Sequence, residues 1–334
     1  MGRIQLAHTY EDIISVENLL AAWREFSNGK RKKVDVCQFQ YTLSDNIYAL
    51  HADLVGQTYC HGGYQHFKIS DPKPRDIHKA SVRDRLLHHA VYRKLYPFFD
   101  RTFIYESYSC RVGRGTHRAM NRFRGFAYKV SKNHTRACWV LKCDIKKFFA
   151  SIDHQALFIA LERSISDQKV LWLLREVVGS FKTRTSDVRV LARGLPLGNL
   201  ISQLLVNIYM NEFDQFVKHQ LKAKHYIRYA DDFVLLSHDE TELKQTLRYI
   251  VVFLRERLRL ELHPDKVSIQ TFASGVDFLG WVHFPDHRVL RTTTKRRMLR
   301  RTQGLQKEDA PVQSYLGMLK HGNAHTLEDK IGKI

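Results

Sequence analysis

The strongest chemical signal in the chain is the run Tyr229-Ala230-Asp231-Asp232. Two adjacent carboxylates repel each other, and holding them together costs free energy unless a counter-charge or water relieves it. A solvated Asp-Asp turn is common and carries no chemistry. Here the flanks are apolar on both sides, Ile227 and Ala230 before, Phe233 to Leu236 after. That puts the pair at the tip of a buried hairpin, where it fits either a metal site or a plain turn. A second signal separates the two. Asp144 closes the apolar run ACWVLKCDI (137–145), which reads as a strand. A strand-end aspartate meeting hairpin-tip aspartates builds a two-metal site. Mg²⁺ takes carboxylate and phosphate oxygens in octahedral array. Two such ions about 4 Å apart activate an attacking hydroxyl and stabilise a leaving pyrophosphate oxygen. Mn²⁺ fits the same oxygens. The chemistry implied is nucleotidyl transfer along a nucleic-acid template. Asp153 is read as a helix cap rather than a further metal acid.

The elements that must position these residues follow from periodicity. Residues 12–26 have helical spacing and stop at Ser27-Asn28-Gly29. The basic run Lys30 to Lys33 follows, either a solvated loop or a phosphate contact. Residues 37–55 read as helix. Residues 64–79 read as extended, with a turn at Pro72 and Pro74. Residues 81–99 read as a helix that stops at Pro97-Phe98-Phe99. Further helices are expected over 154–163, 167–179, 200–221 and 240–259. GLPLGN (194–199) is a loop. HYIRYA and FVLLS flank the Asp-Asp pair as hairpin strands. Short strands fill 266–291, and a basic helical tail follows.

Composition agrees with a nucleic-acid partner. The chain has 334 residues, enough for two folding units. Lys plus Arg number 54 against 34 acids, a net charge of +20, which favours a polyanion. Apolar residues make up 44%, so a core can form. Neither a signal peptide nor a membrane helix is expected, because no apolar run is long enough. The five cysteines (Cys37, Cys60, Cys110, Cys138, Cys143) are odd in number and form no CxxC pair. Reduced thiols and a cytoplasmic location are expected, rather than a disulfide framework or a zinc knuckle.

Seven segments in order then resemble the reverse transcriptases. They are RDIHKASVRDRLLHHAV (75–91), SYSCRVGRGTHRA (107–119), DIKKFFASID (144–153), GLPLGNLISQ (194–203), YADDFVLL (229–236), ELHPDKVSI (261–269) and FLGW (278–281). The resemblance runs from about residue 65 to 320. It implies an α+β right-hand polymerase fold: fingers, a palm whose antiparallel sheet carries the catalytic hairpin, and a small helical thumb. The implied boundaries are an N-terminal helical extension at 1–63, fingers at 64–135 interleaved with palm, palm at 136–291 and thumb at 292–334.

The resemblance also assigns roles. Asp144 and Asp231 become the principal metal ligands, with Asp232 as supporting acid. Phe149 takes the steric-gate position, where a ring excludes a ribose 2′-hydroxyl; packing is the alternative, which Phe148 supplies. Arg75, and Lys68 if a gap is so placed, match basic triphosphate contacts. Lys266 matches a lysine that protonates the leaving pyrophosphate. FLGW resembles the primer grip. TKRRMLRR (294–301) is basic at helical spacing and suits template–primer phosphates.

The loop points to a subfamily. Where many reverse transcriptases carry Gln after Leu-Pro, this chain has Leu197, followed by Gly198, Asn199 and Gln203. The pattern resembles the enzymes of diversity-generating retroelements, which copy a template RNA with errors at adenines and mutagenise a variable gene. Leucine cannot hydrogen-bond as glutamine does, so it restrains the nascent pair less. The resemblance further implies dNTP substrates, an RNA/DNA hybrid product and a small basic accessory protein, often an oligomer. About 50 residues follow position 285, room for a thumb and for no added nuclease domain. Alternatives are a free-standing group II intron-like or antiphage reverse transcriptase, a DNA-templated polymerase, and a catalytically idle RNA-binding protein on the same scaffold.

Overall fold

The computed structural model describes residues 4–70, 74–181 and 193–332, so Pro72 lies outside the described residues. The chain forms two compact units. The first comprises Met1–Ile104, Lys146–Phe216 and Val252–Glu261; the second comprises Tyr105–Ile145, Val217–Val251 and Leu262–Ile334.

The first unit is mainly helical. The helix expected over 12–26 is two, Tyr10–Ile14 and Val16–Ser27. Ser15 divides them because its hydroxyl accepts from Asn18 N and caps the second helix. Thr9 and Asp12 form a reciprocal capping box at the first. The run 37–55 is likewise two helices, Val34–Tyr41 and Leu43–Val55, divided at Thr42. The helix Val82–Asp100 does not stop at Pro97 but continues through it. Proline removes one helical hydrogen bond, and Leu95 and Phe99, both buried, hold the last turn against the core. Strands β1 (Tyr64–Ile69) and β2 (Arg75–Ala80) pair antiparallel, Tyr64 opposite Ala80 and Ile69 opposite Arg75. The core helix Leu200–Gln215 packs against Val82–Asp100 and His154–Glu162. Its expected end at 221 comes early, and a π turn takes over at Phe216–Gln220. Asp153 is fully buried and caps His154–Glu162, accepting from Ala156 N at 3.0 Å and from Arg259 Nη1 at 3.0 Å. Its reading as a cap holds.

The second unit carries two antiparallel sheets. In the larger, β3 (Trp139–Asp144) is flanked by β5 (Asp232–Ser237) and β6 (Ser268–Thr271), with β4 (Tyr226–Tyr229) outside β5. The smaller sheet is β7 (Val276–Phe278), β8 (Trp281–His283) and β9 (Arg288–Leu290). The helix Thr116–Val130 lays Phe123, Phe126 and Val130 on Val140, Ile227, Val234 and Phe278. Leu279 and Gly280 of FLGW both have positive φ and form the two-residue turn between β7 and β8. Trp281 is buried with Met120, Leu290 and the helices Thr292–Thr302, Ala310–Leu319 and His325–Gly332. Gly322, between the last two, lies so close to Trp281 that an added Cβ would sit 2.0 Å from its ring.

All five cysteines are free; Cys138 and Cys143 are buried, whereas Cys37, Cys60 and Cys110 are exposed. Among the described residues no helix is long and apolar enough to cross a membrane.

Candidate active site

Local strand chemistry builds the acidic site within the second unit. The apolar runs Val140–Leu141 and Phe233–Leu236 bury the middles of β3 and β5, which leaves Asp144 at the end of one strand and Asp232 at the start of the other. Register places Asp144, the last residue of β3, directly opposite Asp232, the first of β5. Tyr229 pairs with Asp232 across the hairpin, which leaves Ala230 and Asp231 as its two turn residues. Directly opposed residues on one face approach within about 5.5 Å. All three carboxylates therefore meet at one sheet end.

The electrostatics record that crowding. Burial pushes the Asp231 carboxyl up to about 6, and the charges of Asp232 and Asp144 add to it; Lys266 opposes them. Asp232 is also raised, chiefly by burial, against the pull of Lys142. Lys266 Nζ donates to Asp144 Oδ1 at 2.8 Å. Two backbone bonds bring it there: His263 N donates to Asp144 O at 2.8 Å, and Lys266 N donates to His263 O at 3.0 Å.

These residues fit a divalent cation. The donors are hard oxygens, and the carboxylates are held charged at a cost that a cation relieves. Among the described residues no three His, Cys, Asp or Glu side chains close a cage around one ion. Mg²⁺ rarely needs one, since it is held by one or two carboxylates plus substrate phosphates and waters.

The first unit holds a separate group of expected residues. A cavity of about 930 Å³ is lined by Phe149 and Leu197, with Tyr64, His66, His78 and Phe181 among its other walls. Phe148 is buried, as expected of the packing partner. The Leu197 loop is fastened to β2: His78 N donates to Leu197 O at 3.1 Å, and Asn199 Nδ2 donates to His78 O at 3.0 Å. Gly198 has φ +107°, and an added Cβ would meet Ile77 at 3.0 Å, so both conformation and space call for glycine. Strand alternation puts Lys68 on the hairpin face of Tyr64 and His66, and Arg75 on the other face with Ile77. Neither lines the cavity, and Gln203, half-buried on the helix Leu200–Gln215, does not either.

Sequence reading missed several neighbours. Tyr64, His66 and His78 were legible only as an extended run, although three aromatic rings at even spacing on paired strands mark one face. Arg228 was also missed. An arginine inside the apolar strand YIRY was the available signal.

Comparison with known proteins bears on the family and the fold. A family model described as reverse transcriptase (RNA-dependent DNA polymerase) matches residues 69–283. Protein YkfC of Escherichia coli (strain K12) is 28% identical over 258 residues, 68% of this chain and 66% of that protein. The group II intron-encoded protein LtrA of Lactococcus lactis subsp. cremoris is 23% identical over 292 residues, 69% of this chain and 47% of that protein. The chain thus spans less than two thirds of the length of these relatives. Among solved structures, telomerase from Candida albicans, in complex with a fragment of telomeric RNA, superposes with a TM-score of 0.51 at 13% identity, covering 75% of this chain and 52% of that one. That likeness concerns the fold.

Proposed function

This chain belongs to the reverse transcriptase family, and from that premise we propose that it is an RNA-directed DNA polymerase working by two-metal nucleotidyl transfer. One observation carries the reading: the register that sets Asp144 against Asp232 beside the turn residue Asp231. Asp144, Asp231 and Asp232 hold the divalent ions. When bound, Mg²⁺ lowers the cost of the attacking alkoxide and of the pyrophosphate charge. Lys266, drawn to the site through Asp144, carries at Nζ a proton that the leaving pyrophosphate can take. Phe149 closes the cavity wall against a 2′-hydroxyl. Arg75, the better match of the two hairpin cations, serves the triphosphate from β1–β2, which we assign to the fingers, while Lys68 lies on the opposite face. The β3–β6 sheet is the palm and the three C-terminal helices are the thumb. Template RNA and dNTPs are the substrates, and a small basic accessory protein is the expected partner.

The finer reading is an adenine-directed, error-prone enzyme of a diversity-generating retroelement. The apolar Leu197 in the same cavity as Phe149 supports it. Leu197→Gln restores a hydrogen-bonding side chain and should reduce misincorporation opposite template adenine; an unchanged error spectrum would sink this assignment. Similarity to the group II intron-encoded protein favours a second reading, a group II intron-like enzyme that copies accurately.

The test is primer extension on an RNA template containing all four bases, with Mg²⁺ and dNTPs, followed by sequencing. Asp231→Ala/Asp232→Ala is the control and should make no product. Errors clustered at adenines support the first reading, and accurate cDNA supports the second. Silence, repeated with native RNA and any genomic-neighbour protein, would favour an idle RNA-binding scaffold.

A further inference from the structure

The geometry points to Arg228 as a positioning residue that aims Asp231. Arg228 is fully buried, one of the largest side chains among the described residues to be so. It lies on β4, two residues before the hairpin turn. The peptides before and after it are both fixed, since Arg228 N donates to Glu106 O and Tyr108 N donates to Arg228 O, each at 3.0 Å. With the backbone so held, its guanidinium has Ser107 and Ala230 among its acceptors. Nη2 donates to Ser107 Oγ at 3.0 Å, and Nη1 donates to Ala230 O at 3.2 Å.

The second contact matters for the carboxylates. Ala230 has φ +55°, a left-handed conformation that is strained for an L-residue. Its carbonyl belongs to the peptide that joins it to Asp231. Gripping that oxygen fixes ψ of Ala230 and φ of Asp231, the torsions that aim the Asp231 side chain. The next peptide is held too, because Ile145 N donates to Asp231 O at 3.3 Å. Asp231 is thus clamped from both neighbours, by Arg228 on one side and by the residue after Asp144 on the other. The guanidinium suits this task because its fork satisfies two acceptors in one plane. A lysine has one nitrogen and cannot span them in the same way. Ser107 in turn fixes the fork, which keeps Nη1 on the turn rather than on solvent.

This inference rests on the polymerase reading of the carboxylates, and its test separates the two. Arg228→Lys should lower kcat for primer extension about a hundredfold, the loss expected when a reacting group is misplaced by about 1 Å, with the dNTP KM changed less than about threefold. It should also weaken Mn²⁺ binding, read by the electron paramagnetic resonance of free Mn²⁺, which needs no turnover. Ala230→Gly added to Arg228→Lys is the diagnostic step. Glycine takes φ > 0 without strain, so the double variant should recover about tenfold in kcat over Arg228→Lys. Ser107→Ala, which leaves Arg228 in place, should show a smaller loss in the same direction and covers the case in which Arg228→Lys does not fold. A fall in melting temperature alone, with kcat per folded molecule and Mn²⁺ affinity unchanged, would overturn the inference, as would the absence of rescue by glycine. If the parent protein makes no cDNA, the polymerase reading fails, and the Mn²⁺ titration still decides the role of Arg228.

Discussion

Gly322→Ala tests the packing that joins the C-terminal helices to the FLGW segment. The new Cβ would lie 2.0 Å from Trp281 Cζ3, 2.6 Å from Cη2 and 2.8 Å from Cε3. Carbon atoms in contact prefer about 3.5–4.0 Å, so the ring edge or the 320–324 loop must retreat by roughly 1.5 Å. The ring cannot retreat freely. Trp281 is 2% exposed and is enclosed by Met120, Leu290, Met298 and Val312. Overpacking of this kind costs typically about 1–3 kcal/mol. At about 2–4 °C per kcal/mol for a folding unit of roughly 150 residues, the melting temperature should fall by about 2–12 °C. Calorimetry reads the shift, and hydrogen exchange should show faster opening at residues 310–331 than on β3. Trp281→Phe removes part of the obstructing ring, so the double variant should lose less than the sum of the single losses. A melting temperature within a degree of the parent, or strict additivity, would refute the argument. On the resemblance of FLGW to a primer grip, extension products should also shorten, because Leu279 packs against the cluster that contains Trp281.

Phe149→Ala should admit ribonucleotides, cutting discrimination against rNTPs by about ten- to a hundredfold in competing kcat/KM values, a range set by loss of a steric wall; unchanged selectivity would return Phe149 to packing. Acid should destabilise the fold through buried histidines. His88 is pushed down from 6.5 to about 3 by burial, with His61 adding to it, and His89 and His283 fall to about 4, again through burial first. Their folded values lie below the unfolded ones, so the unfolded chain takes up protons first as pH drops. Their contribution is complete above pH 6.5 and drains away down to about 4 for His89 and His283 and about 3 for His88, at up to about 1.4 kcal/mol per pH unit for each histidine. Urea titrations across that window should show His88→Phe flattening the slope by one such increment; an identical slope would count against it.

Features set by local chemistry were legible in the sequence. The strand ending at Asp144, the hairpin around Asp231 and the cap at Asp153 each follow from a few neighbouring residues. Breaks inside periodic runs were not. Ser15 and Thr42 sit in stretches whose apolar spacing continues on both sides, so the pattern does not show the interruption, which at Ser15 comes from its side-chain cap. Pro97 misled in the opposite sense, because its helix is held by the burial of Phe99, which is a tertiary effect. Long-range pairings were least accessible. Lys266 lies 122 positions from Asp144, and the resemblance gave it a proton rather than an ion pair. Nothing in the order of residues indicated that the Leu197 loop would hang on His78.

That attachment bears on how such a protein can evolve. The bond between His78 and Leu197 runs from amide to carbonyl, so neither side chain takes part in it. Either residue can mutate without detaching the loop, provided that Gly198 and Asn199 persist. On the proposed role of Leu197, copying accuracy can therefore drift by single substitutions at that position while the loop stays attached. A lineage would have access to a graded series of error rates on one unchanged scaffold, with selection acting on the products of copying rather than on the folding of the copier.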